Sequence, residues 1–475
     1  MTERPARTKI VCTIGPASGS PSVIRGMIRN GMCVGRLNMA YGTLEEHRHH
    51  IEAVRSAAAQ LDKPLALLLD LPGPKYRTGK VRGGEVELRP GTRFVIRTGG
   101  GTGDNQGVSV KPPALPRDVQ TGDQLILGDG RITLLAEDVS AREVRCLVVS
   151  GGALKDNMGL VVPGRVPSSK FLSRQMLGLL DFGMEQQVDY FALSFVYDAR
   201  NVVAVRRALE QRGARIPLVA KIETGEAVKH LDDILAVSDA VLVARGDLGA
   251  ELPLERVPVL QKQIVGKCNN LGKPVIVATQ MLESMVQAPR PTRAEVADVA
   301  NAVFDGADAV MLSGETAIGR YPEAATGMMS RIAIEAEAAL PYQRLLAERS
   351  AYSEAKTDDA IAFNACHTAQ QLGAAAIVAF TQSGSTAFRV AKYRPPMPLL
   401  ALTPSEGVRR RLALVWGVQA YVVGKPPTVD DMFAQAVRLV RELRVASKGD
   451  LVVVTAGVPI GVAGTTNLLK VLTVD

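Results

Sequence analysis

Two charged side chains, Lys221 and Glu223, lie one residue apart in an otherwise apolar stretch of the chain. Side chains two positions apart point to the same side of a β-strand, so both would face one space. Lysine and glutamate are rarely buried unless they are paired, and a buried ion pair between strands is the alternative interpretation. Because polar residues also end the neighbouring apolar runs, we interpret the pair as part of a functional site.

Asp247 ends the next apolar run and would supply a second carboxylate beside Glu223. Mg²⁺ typically binds one or two protein carboxylates and keeps its other positions for water, phosphate or substrate oxygens. Such an ion can hold an enolate oxygen and a phosphoryl oxygen together. The two carboxylates therefore predict phosphoryl transfer or enolate chemistry with Mg²⁺ or Mn²⁺. Zinc-type hydrolysis is disfavoured because histidine ligands are missing.

The elements that would position these residues are short apolar runs separated by helical stretches. Eight runs of this composition predict parallel strands buried on both faces, and hence an α/β fold with a (β/α)₈ TIM barrel. The runs are Thr8 to Gly15, Cys33 to Asn38, Pro64 to Asp70, Tyr190 to Phe195, Pro217 to Glu223, Ala240 to Asp247, Pro274 to Gln280 and Ala309 to Ser313. Catalysis in such barrels occurs where the strands end. The polar residues at these ends are Arg36, Asn38, Asp70, Lys221, Glu223, Arg245, Asp247, Thr279, Gln280, Ser313 and Glu315.

Changes in this pattern predict two further domains. Residues 79–168 contain alternating segments separated by glycine and aspartate turns, which indicate a small all-β domain, a β-barrel inserted in the TIM barrel. Residues 345–475 return to helices and apolar runs, which indicate an open, mostly parallel α/β sheet. The TIM barrel would then comprise residues 1–78 and 169–344.

Composition and charge exclude several other classes of protein. The formal net charge is +8, but aromatic residues make up only 4% and no nucleic-acid module is present, so we expect no nucleic-acid partner. No apolar run approaches the roughly 20 residues of a membrane span, and no signal peptide precedes the first strand. We therefore expect a cytoplasmic protein without a membrane partner. Its cysteines are irregularly spaced, which predicts buried thiols.

Seven motifs, in order along the chain, resemble those of the pyruvate kinase family. They are TKIVCTIGP at Thr8 to Pro16, GMCVGRLN at Gly31 to Asn38, AKIE at Ala220 to Glu223, VARGDLG at Val243 to Gly249, KPVIVATQMLESM at Lys273 to Met285, PRPTRAE at Pro289 to Glu295 and MLSGETA at Met311 to Ala317. The resemblance implies a phosphotransferase, EC 2.7.1.40, that moves the phosphoryl group of phosphoenolpyruvate to ADP, giving pyruvate and ATP, in the final step of glycolysis.

The resemblance also implies roles for most of the residues at the strand ends. The implied catalytic residues are Lys221, Arg36, Thr279, Ser313 and Glu315. The implied metal ligands are Glu223 and Asp247. The implied substrate-binding residues are Arg36, Ala244, Arg245, Gly246, Asp247 and Thr279, and those for the nucleotide are Asn38 and Arg77. In these roles Arg36 would hold the phosphate, Lys221 would stabilise the phosphoryl group in flight, and Thr279 would help to protonate the enolate through water.

The chain departs from the family's motifs around the expected nucleotide and potassium sites. Ala40 stands where a serine usually binds K⁺, and Lys75 stands where a glutamate is usual. The resemblance therefore implies that the Lys75 ammonium replaces the ion and that K⁺ is not required; the alternative is a solvated loop charge. Tyr41 and Met158 replace a histidine and a lysine on the nucleotide side, which leaves the affinity and preference for ADP open.

A loop in the C-terminal domain is rich in hydroxyl groups and lies between an apolar run and a helical stretch. It comprises Thr381, Gln382, Ser383, Gly384, Ser385 and Thr386. Hydroxyls and backbone N–H groups in such a loop suit a phosphate, although a capped turn without a ligand is the alternative. The resemblance implies a phosphorylated allosteric effector here, with a second loop, Gly457 to Asn467, closing over it. It also implies a homotetramer.

Two other functions remain open at this point. Another barrel enzyme that uses Mg²⁺ and phosphoenolpyruvate or pyruvate, such as a dikinase-like phosphotransferase or a lyase of 2-oxo acids, would explain Glu223 and Asp247 but not the two additional domains. A pyruvate kinase relative that has lost activity and binds metabolites as a regulator would explain the departures from the motifs. An assay of pyruvate formation with ADP, GDP and no nucleotide discriminates this inactive relative from an active enzyme.

Overall fold

The computed structural model describes residues 5–128, 130–462 and 464–475. The chain begins with β1 (Lys9–Thr13), α1 (Pro21–Arg29), β2 (Met32–Asn38), α2 (Leu44–Gln60) and β3 (Ala66–Leu71). Both helices begin after residues whose side chains cap the helix N-terminus. The Ser20 hydroxyl accepts a hydrogen bond from the Val23 N–H, and Thr43 and Glu46 form a capping box at the start of α2. Every residue of β1 and β3 is buried, as expected for strands covered on both faces.

The inserted segment that follows is almost entirely β-structure. It contains β4 (Tyr76–Thr78), β5 (Glu85–Leu88), β6 (Arg93–Thr98), β7 (Gly107–Lys111), α3 (Leu115–Asp118), β8 (Gln124–Leu127), β9 (Ile132–Val139), β10 (Glu143–Ser150), β11 (Gly152–Lys155) and β12 (Gly159–Val161). The order β10-β6-β7-β4-β12-β8-β9 closes a small barrel, and β5 pairs with β11. Alternation along β6 sends Phe94 and Ile96 into the core while Arg93 and Arg97 remain accessible.

The TIM barrel resumes with alternating helices and strands. These are α4 (Arg174–Glu185), β13 (Tyr190–Leu193), α5 (Ala199–Glu210), β14 (Leu218–Ile222), α6 (Gly225–Lys229), α7 (Leu231–Val237), β15 (Ala240–Ala244), α8 (Arg245–Glu251), α9 (Val257–Asn270), β16 (Val275–Ala278), α10 (Arg293–Phe304), β17 (Ala309–Leu312), α11 (Gly314–Ala317) and α12 (Pro322–Ala338). The strands β1, β17, β16, β15, β14, β13, β3 and β2 close a barrel in that order. The predicted eight-stranded barrel is confirmed.

The C-terminal region forms a second α/β sheet. Its elements are α13 (Tyr342–Ser350), α14 (Thr357–Gln371), β18 (Ala376–Phe380), α15 (Ser385–Lys392), β19 (Leu399–Thr403), α16 (Glu406–Arg411), β20 (Val418–Val422), α17 (Val429–Glu442), β21 (Leu451–Gly457) and β22 (Thr466–Thr473). The sheet order is β20-β19-β18-β21-β22, with only the last pair antiparallel. Along β18, Ile377 and Ala379 enter one core while Val378 and Phe380 enter the other, so helices cover both faces.

The fold class is therefore as predicted, including the inserted β-domain and the open α/β sheet. The boundaries at 78/79, 168/169 and 344/345 stay predictions. Contacts within the chain define two compact units, of which one comprises Asp70–Glu185 and Phe191–Ile264 and the other comprises the rest of the described chain. Within the described residues, no helix has both the length and the apolar character to span a bilayer.

Candidate active site

Lys221 is the centre of a buried polar cluster at the end of β14. Its Nζ lies 2.7 Å from Ser194 Oγ, 2.9 Å from Glu223 Oε1 and 3.3 Å from Asp70 Oδ1. The Lys221 side chain is 10% exposed, and those of Asp70 and Glu223 are 1% exposed. An ammonium in this position is held by charge-assisted hydrogen bonds, which fix its direction as well as its charge. The structure thus brings Lys221 and Glu223 together as their alternation along the strand predicts.

Ser194 is a member of this cluster that the sequence-based reasoning missed. Its Oγ accepts from Lys221 and donates to Asp70 Oδ1 at 3.0 Å, so the hydroxyl links the two charged groups. Ser194 directly follows β13, whose residues are all buried and apolar. The sequence offered one signal for Ser194. Its hydroxyl lies at the end of a strand, as do the polar residues of the neighbouring strands that form the site.

The surroundings of Glu223 and Asp247 shift the pKa values of these two carboxylates in opposite directions. Burial raises the pKa of Glu223, and although the Lys221 ammonium opposes this effect, the charge of Asp247 adds to it. Burial also acts to raise the pKa of Asp247, but the ammonium groups of Lys75 and Lys221 outweigh it, and this pKa is lowered. Glu223 Oε2 additionally accepts the Phe195 N–H at 2.6 Å. A divalent cation between the two carboxylates would stabilise both in the charged form.

The donor set fits a hard divalent cation. Glu223 and Asp247 are close enough to share a hydrogen bond, which places two carboxylates within reach of a common ion. Mg²⁺ needs no more protein ligands than these, because it keeps water and phosphate oxygens in its other positions. Among the residues that the structure describes, no cluster of three or more histidine, cysteine, aspartate or glutamate side chains forms a complete metal cage.

Lys75 belongs to the same cluster and is not extended into solvent. Its Nζ donates to Asp247 Oδ1 at 2.7 Å and lies 4.9 Å from the centre of the Phe195 ring. The Lys75 side chain is 16% exposed. Gly159 makes this path possible, because a Cβ at that position would lie 2.8 Å from Lys75 Cε. The lysine stem therefore passes over a glycine to reach a carboxylate of the site.

The substrate-binding residues proposed from the sequence occupy the start of α8. Ala244 ends β15, and Arg245, Gly246 and Asp247 form the first turn of the helix. The N–H groups of a first helical turn have no partner within the helix, and the helix dipole adds a partial positive charge there. Arg245 Nη1 lies 3.4 Å from Gln261 Oε1.

Arg36 and Asn38 end β2. The Arg36 guanidinium is buried, and its Nη1 donates to Thr13 Oγ1 at 2.8 Å. Thr13 Oγ1 in turn donates to the Leu312 carbonyl at 2.9 Å, so the ends of β1, β2 and β17 are connected through one hydroxyl. Asn38 Oδ1 accepts the Ala40 N–H at 3.2 Å.

Thr279 and Glu315 shape the loops after β16 and β17. Thr279 has φ of 71°, a left-handed conformation that is unfavourable for a β-branched residue, and its Oγ1 donates to the Ala278 carbonyl at 2.6 Å. Both oxygens of Glu315 are engaged by backbone N–H groups, from Leu282 at 3.0 Å and from Ser313 at 2.7 Å. Glu315 therefore connects the two loops through hydrogen bonds, which its residue type alone did not predict.

The nucleotide-side residues are more accessible. Arg77 lies on β4, and its Nη1 donates to the Asn157 carbonyl at 3.2 Å. Tyr41 is 64% exposed. Met158 is the residue after Asn157, and its backbone N–H donates to Thr78 Oγ1 at 2.9 Å. Neither Tyr41 nor Met158 supplies the positive charge that a histidine or a lysine could bring to a phosphate.

A separate cavity lies in the C-terminal sheet region. The hydroxyl-rich loop lines it through Thr381, Ser385 and Thr386, and the second loop lines it between Gly457 and Thr465. Ala463 of that loop lies outside the described residues. Gly384 has φ of 99° and donates its N–H to Thr381 Oγ1 at 2.9 Å. Lys425 also lines the cavity and was not identified from the sequence.

A closed parallel barrel whose strand ends carry a buried lysine, paired carboxylates and a buried arginine defines a barrel enzyme for small anionic substrates. Residues 5–326 match a family model described as pyruvate kinase, barrel domain, and residues 359–472 match one described as pyruvate kinase, alpha/beta domain. The chain therefore belongs to the pyruvate kinase family.

Individual relatives agree over nearly the whole chain. Pyruvate kinases of Staphylococcus aureus strains MRSA252 and USA300 are each 44% identical over 467 residues, which cover 98% of this chain and 80% of theirs. A crystal structure of a pyruvate kinase from Cryptosporidium parvum is 34% identical, covers 99% of this chain and 96% of its own, and superposes with a TM-score of 0.92.

Proposed function

We propose that this protein transfers the phosphoryl group of phosphoenolpyruvate to ADP, giving pyruvate and ATP, and that it does so in the cytoplasm. The observation that carries this proposal is the Lys221 cluster, which has the charges that phosphoryl transfer needs, in a chain of the pyruvate kinase family. The family's reaction is the final step of glycolysis. Phosphoryl transfer depends on positioning and on stabilising negative charge more than on covalent catalysis.

Different residues are suited to the phosphoryl group, the carboxylate and the metal ion of the reaction. Lys221 would stabilise the phosphoryl group in flight, since its ammonium is already oriented by Ser194 and Glu223. Arg36 would hold the phosphate, and the first turn of α8 would receive the carboxylate of the substrate. Glu223 and Asp247 would hold Mg²⁺ or Mn²⁺, which when bound would neutralise phosphoryl and enolate oxygens.

The enolate left by the transfer must gain a proton to become pyruvate. Thr279 is the residue that we propose to take part, through a water molecule, because its strained backbone presents a hydroxyl at the end of β16. Ser313 and Glu315 would support it by holding the adjacent loops. Asn38 and Arg77 would contact the nucleotide phosphates.

The direct test is pyruvate formation measured by coupling to lactate dehydrogenase. The purified protein is assayed with phosphoenolpyruvate and Mg²⁺ in three parallel reactions, which contain ADP, GDP or no nucleotide. We expect turnover that requires a nucleoside diphosphate. Turnover that is absent with both nucleotides would indicate a relative that has lost activity, and the GDP arm shows whether Tyr41 and Met158 have altered nucleotide preference.

We also propose that Lys75 replaces the potassium ion used by most members of the family. Its Nζ lies 2.7 Å from Asp247 Oδ1, so a fixed positive charge is present beside a proposed metal ligand. Ala40 has no side-chain oxygen with which to bind K⁺. K⁺ would then not be required for activity.

The C-terminal cavity would bind a phosphorylated effector. Backbone N–H groups at the start of α15 and the hydroxyls of Thr381, Ser385 and Thr386, which line the cavity, are suited to a phosphate, and Ser383 lies in the same loop. Lys425 would add a positive charge. The effector would act as an activator that raises the affinity for phosphoenolpyruvate.

The assembly would be a homotetramer with dihedral symmetry. The proposal rests on the family membership. Sedimentation velocity at micromolar concentration should give one species of about four times the chain mass, and a monomer alone would contradict the proposal.

A further inference from the structure

A short loop joins β2 to α2 and carries Asn38, one of the two residues proposed for the nucleotide phosphates. The loop runs from Asn38, which ends β2, to Thr43, the N-terminal cap of α2. Residues 40–46 are all exposed, whereas His47, which follows them, is 6% exposed. The polar atoms of a buried ring are usually bonded, so this burial indicates that His47 makes a specific contact.

The contact joins His47 to the middle of the loop. Its Nε2 lies 2.8 Å from the carbonyl oxygen of Tyr41. A carbonyl oxygen can only accept a hydrogen bond, so Nε2 carries a proton and donates it. His47 Nδ1 is buried and has no hydrogen-bond partner in the part of the chain that the structure describes, which suits the nitrogen without a proton. The ring N–H of His47 is therefore directed at the loop backbone.

Other hydrogen bonds fix the two ends of the loop. Asn38 Oδ1 accepts the Ala40 N–H at 3.2 Å, and the Asn38 carbonyl accepts the Tyr41 N–H at 3.3 Å. At the other end, Thr43 and Glu46 form the capping box of α2. The N–H of Tyr41 is thus bonded to the end of β2 and its carbonyl to a side chain of α2, so this residue connects the strand to the helix.

Gly42 allows the loop backbone to pass close to α2. Its φ of 75° is in the left-handed region, which favours glycine. A Cβ at this position would lie 3.2 Å from Glu46 Oε2 and 3.5 Å from His47 Nε2. The turn at Gly42 therefore brings the preceding carbonyl, that of Tyr41, within reach of the His47 ring.

We propose that His47 is a positioning residue for the nucleotide, because its hydrogen bond to the Tyr41 carbonyl fixes the loop that orients Asn38. This role rests on the proposed contact of Asn38 with the nucleotide phosphates. A loop that is already ordered loses less conformational freedom when a ligand binds, so the bond should strengthen nucleotide binding. Arg36, proposed for phosphoenolpyruvate, is bonded to Thr13 instead, so the effect should be specific to the nucleotide.

Three variants separate the hydrogen bond from the packing of the ring. His47→Leu fills a similar space but has no donor. His47→Gln places an amide N–H near the position of Nε2 and can still donate to the Tyr41 carbonyl. His49→Leu is the matched control, because His49 lies on the same helix and is exposed. A thermal melt establishes that each variant is folded, and His47→Met replaces His47→Leu if the latter does not fold.

Steady-state kinetics provide the first measurement. The KM for ADP is determined at saturating phosphoenolpyruvate, and the KM for phosphoenolpyruvate at saturating ADP. In His47→Leu we expect the KM for ADP to rise about fivefold, the effect of one lost hydrogen bond. The kcat and the KM for phosphoenolpyruvate should change less than about twofold, since general damage to the fold would lower kcat instead. His47→Gln and His49→Leu should behave as the wild type.

Limited proteolysis with chymotrypsin examines the loop without substrates. Cleavage after Tyr41 breaks the peptide bond whose carbonyl His47 contacts, and Tyr41 is 64% exposed. Tyr352, 52% exposed and just after α13, is the internal reference. In His47→Leu the rate of cleavage after Tyr41, relative to Tyr352, should rise about fivefold, because the loop opens more often. His47→Gln should be cleaved at the wild-type rate.

The proposed role is overturned if folded His47→Leu keeps the wild-type KM for ADP or the wild-type rate of cleavage after Tyr41. Equal increases of this KM in His47→Leu and His47→Gln would assign the effect to packing, and equal increases of the KM for both substrates would exclude a role specific to the nucleotide. A wild-type protein without turnover would count against the proposed function. Calorimetric titration with ADP and Mg²⁺, together with the proteolysis, would then still test His47 separately.

Discussion

The Lys221 cluster and the C-terminal effector cavity are both suited to phosphate but are built differently. The cluster consists of charged side chains that are almost completely buried and bonded to one another. The cavity is lined mostly by hydroxyls, glycines and backbone groups on two loops, with Lys425 as its charged member. The first arrangement fixes charge in advance of the reaction, whereas the second leaves loops that can adjust to a ligand.

This difference predicts different consequences of mutation. Removing a charged group from the cluster leaves its charged partners buried and unpaired, so the effect on turnover should be large. Changing the effector loop should alter regulation and leave basal turnover intact. The following predictions test that contrast, from the largest expected effect to the smallest.

Lys221→Ala should lower kcat about a thousandfold or more, because it removes positive charge that acts mainly in the transition state. The measurement is steady-state kinetics with phosphoenolpyruvate and ADP. Lys229→Ala is the matched control, since Lys229 is an exposed lysine on α6 whose side chain is 68% exposed. Near wild-type turnover of Lys221→Ala would refute the role given to the cluster.

An effector should lower the half-saturating concentration of phosphoenolpyruvate by a few-fold to a hundredfold, which corresponds to coupling of roughly 1 to 3 kcal/mol. The ligands to test are AMP, ribose 5-phosphate, glucose 6-phosphate and fructose 1,6-bisphosphate. In Ser383→Asp the response should disappear while basal turnover remains, because the added carboxylate repels the phosphate. Ser56→Asp on the exposed side of α2 controls for the added charge. No response to any of the four ligands would count against the cavity as a regulatory site.

Replacing K⁺ by tetramethylammonium at constant ionic strength should change wild-type activity less than about tenfold, or about 1.4 kcal/mol. Lys75→Glu should introduce a dependence on K⁺ of at least about tenfold, because it removes the built-in ammonium and restores the glutamate usual in the family. A wild-type enzyme that loses more activity than this without K⁺ would show that Lys75 does not replace the ion.

Ser194→Ala should lower kcat by about fivefold, the smallest effect of the four. The hydroxyl orients Lys221 through one hydrogen bond, worth roughly 1 kcal/mol. Ser194→Thr retains the hydroxyl and should recover most of the loss. A change in KM alone, or an equal decrease in kcat in Ser194→Ala and Ser194→Thr, would indicate that packing and not the hydrogen bond is responsible.

Much of this arrangement could be predicted from the sequence because it depends on local pattern. Runs of buried strand residues predicted the barrel, and alternation predicted that Lys221 and Glu223 share a side. The edge strand β22 is difficult to predict because its burial is partial and its segment follows a glycine-rich loop. The antiparallel pairing that it adds depends on where β21 lies, which no pattern within the segment encodes.

The side-chain contacts that the sequence did not predict join distant parts of the chain. Ser194 bonds Asp70 across 124 positions, and Glu315 accepts the N–H of Leu282, 33 positions earlier. Arg394 reaches Asn269 across 125 positions. Residue type identified Glu315 as polar and near the site, but only the fold shows that its oxygens are occupied by backbone groups.

The contact between Lys75 and Asp247 has a consequence for how the enzyme would respond to its surroundings. A potassium ion must be taken from solution, so the fraction of active sites that hold one follows the ionic composition of the cell. An ammonium on a side chain is supplied intramolecularly, at an effective concentration set by the length of its tether. If Lys75 replaces the ion, occupancy of the position becomes a property of the folded chain, and osmotic changes in cellular potassium would leave flux through this step unaffected.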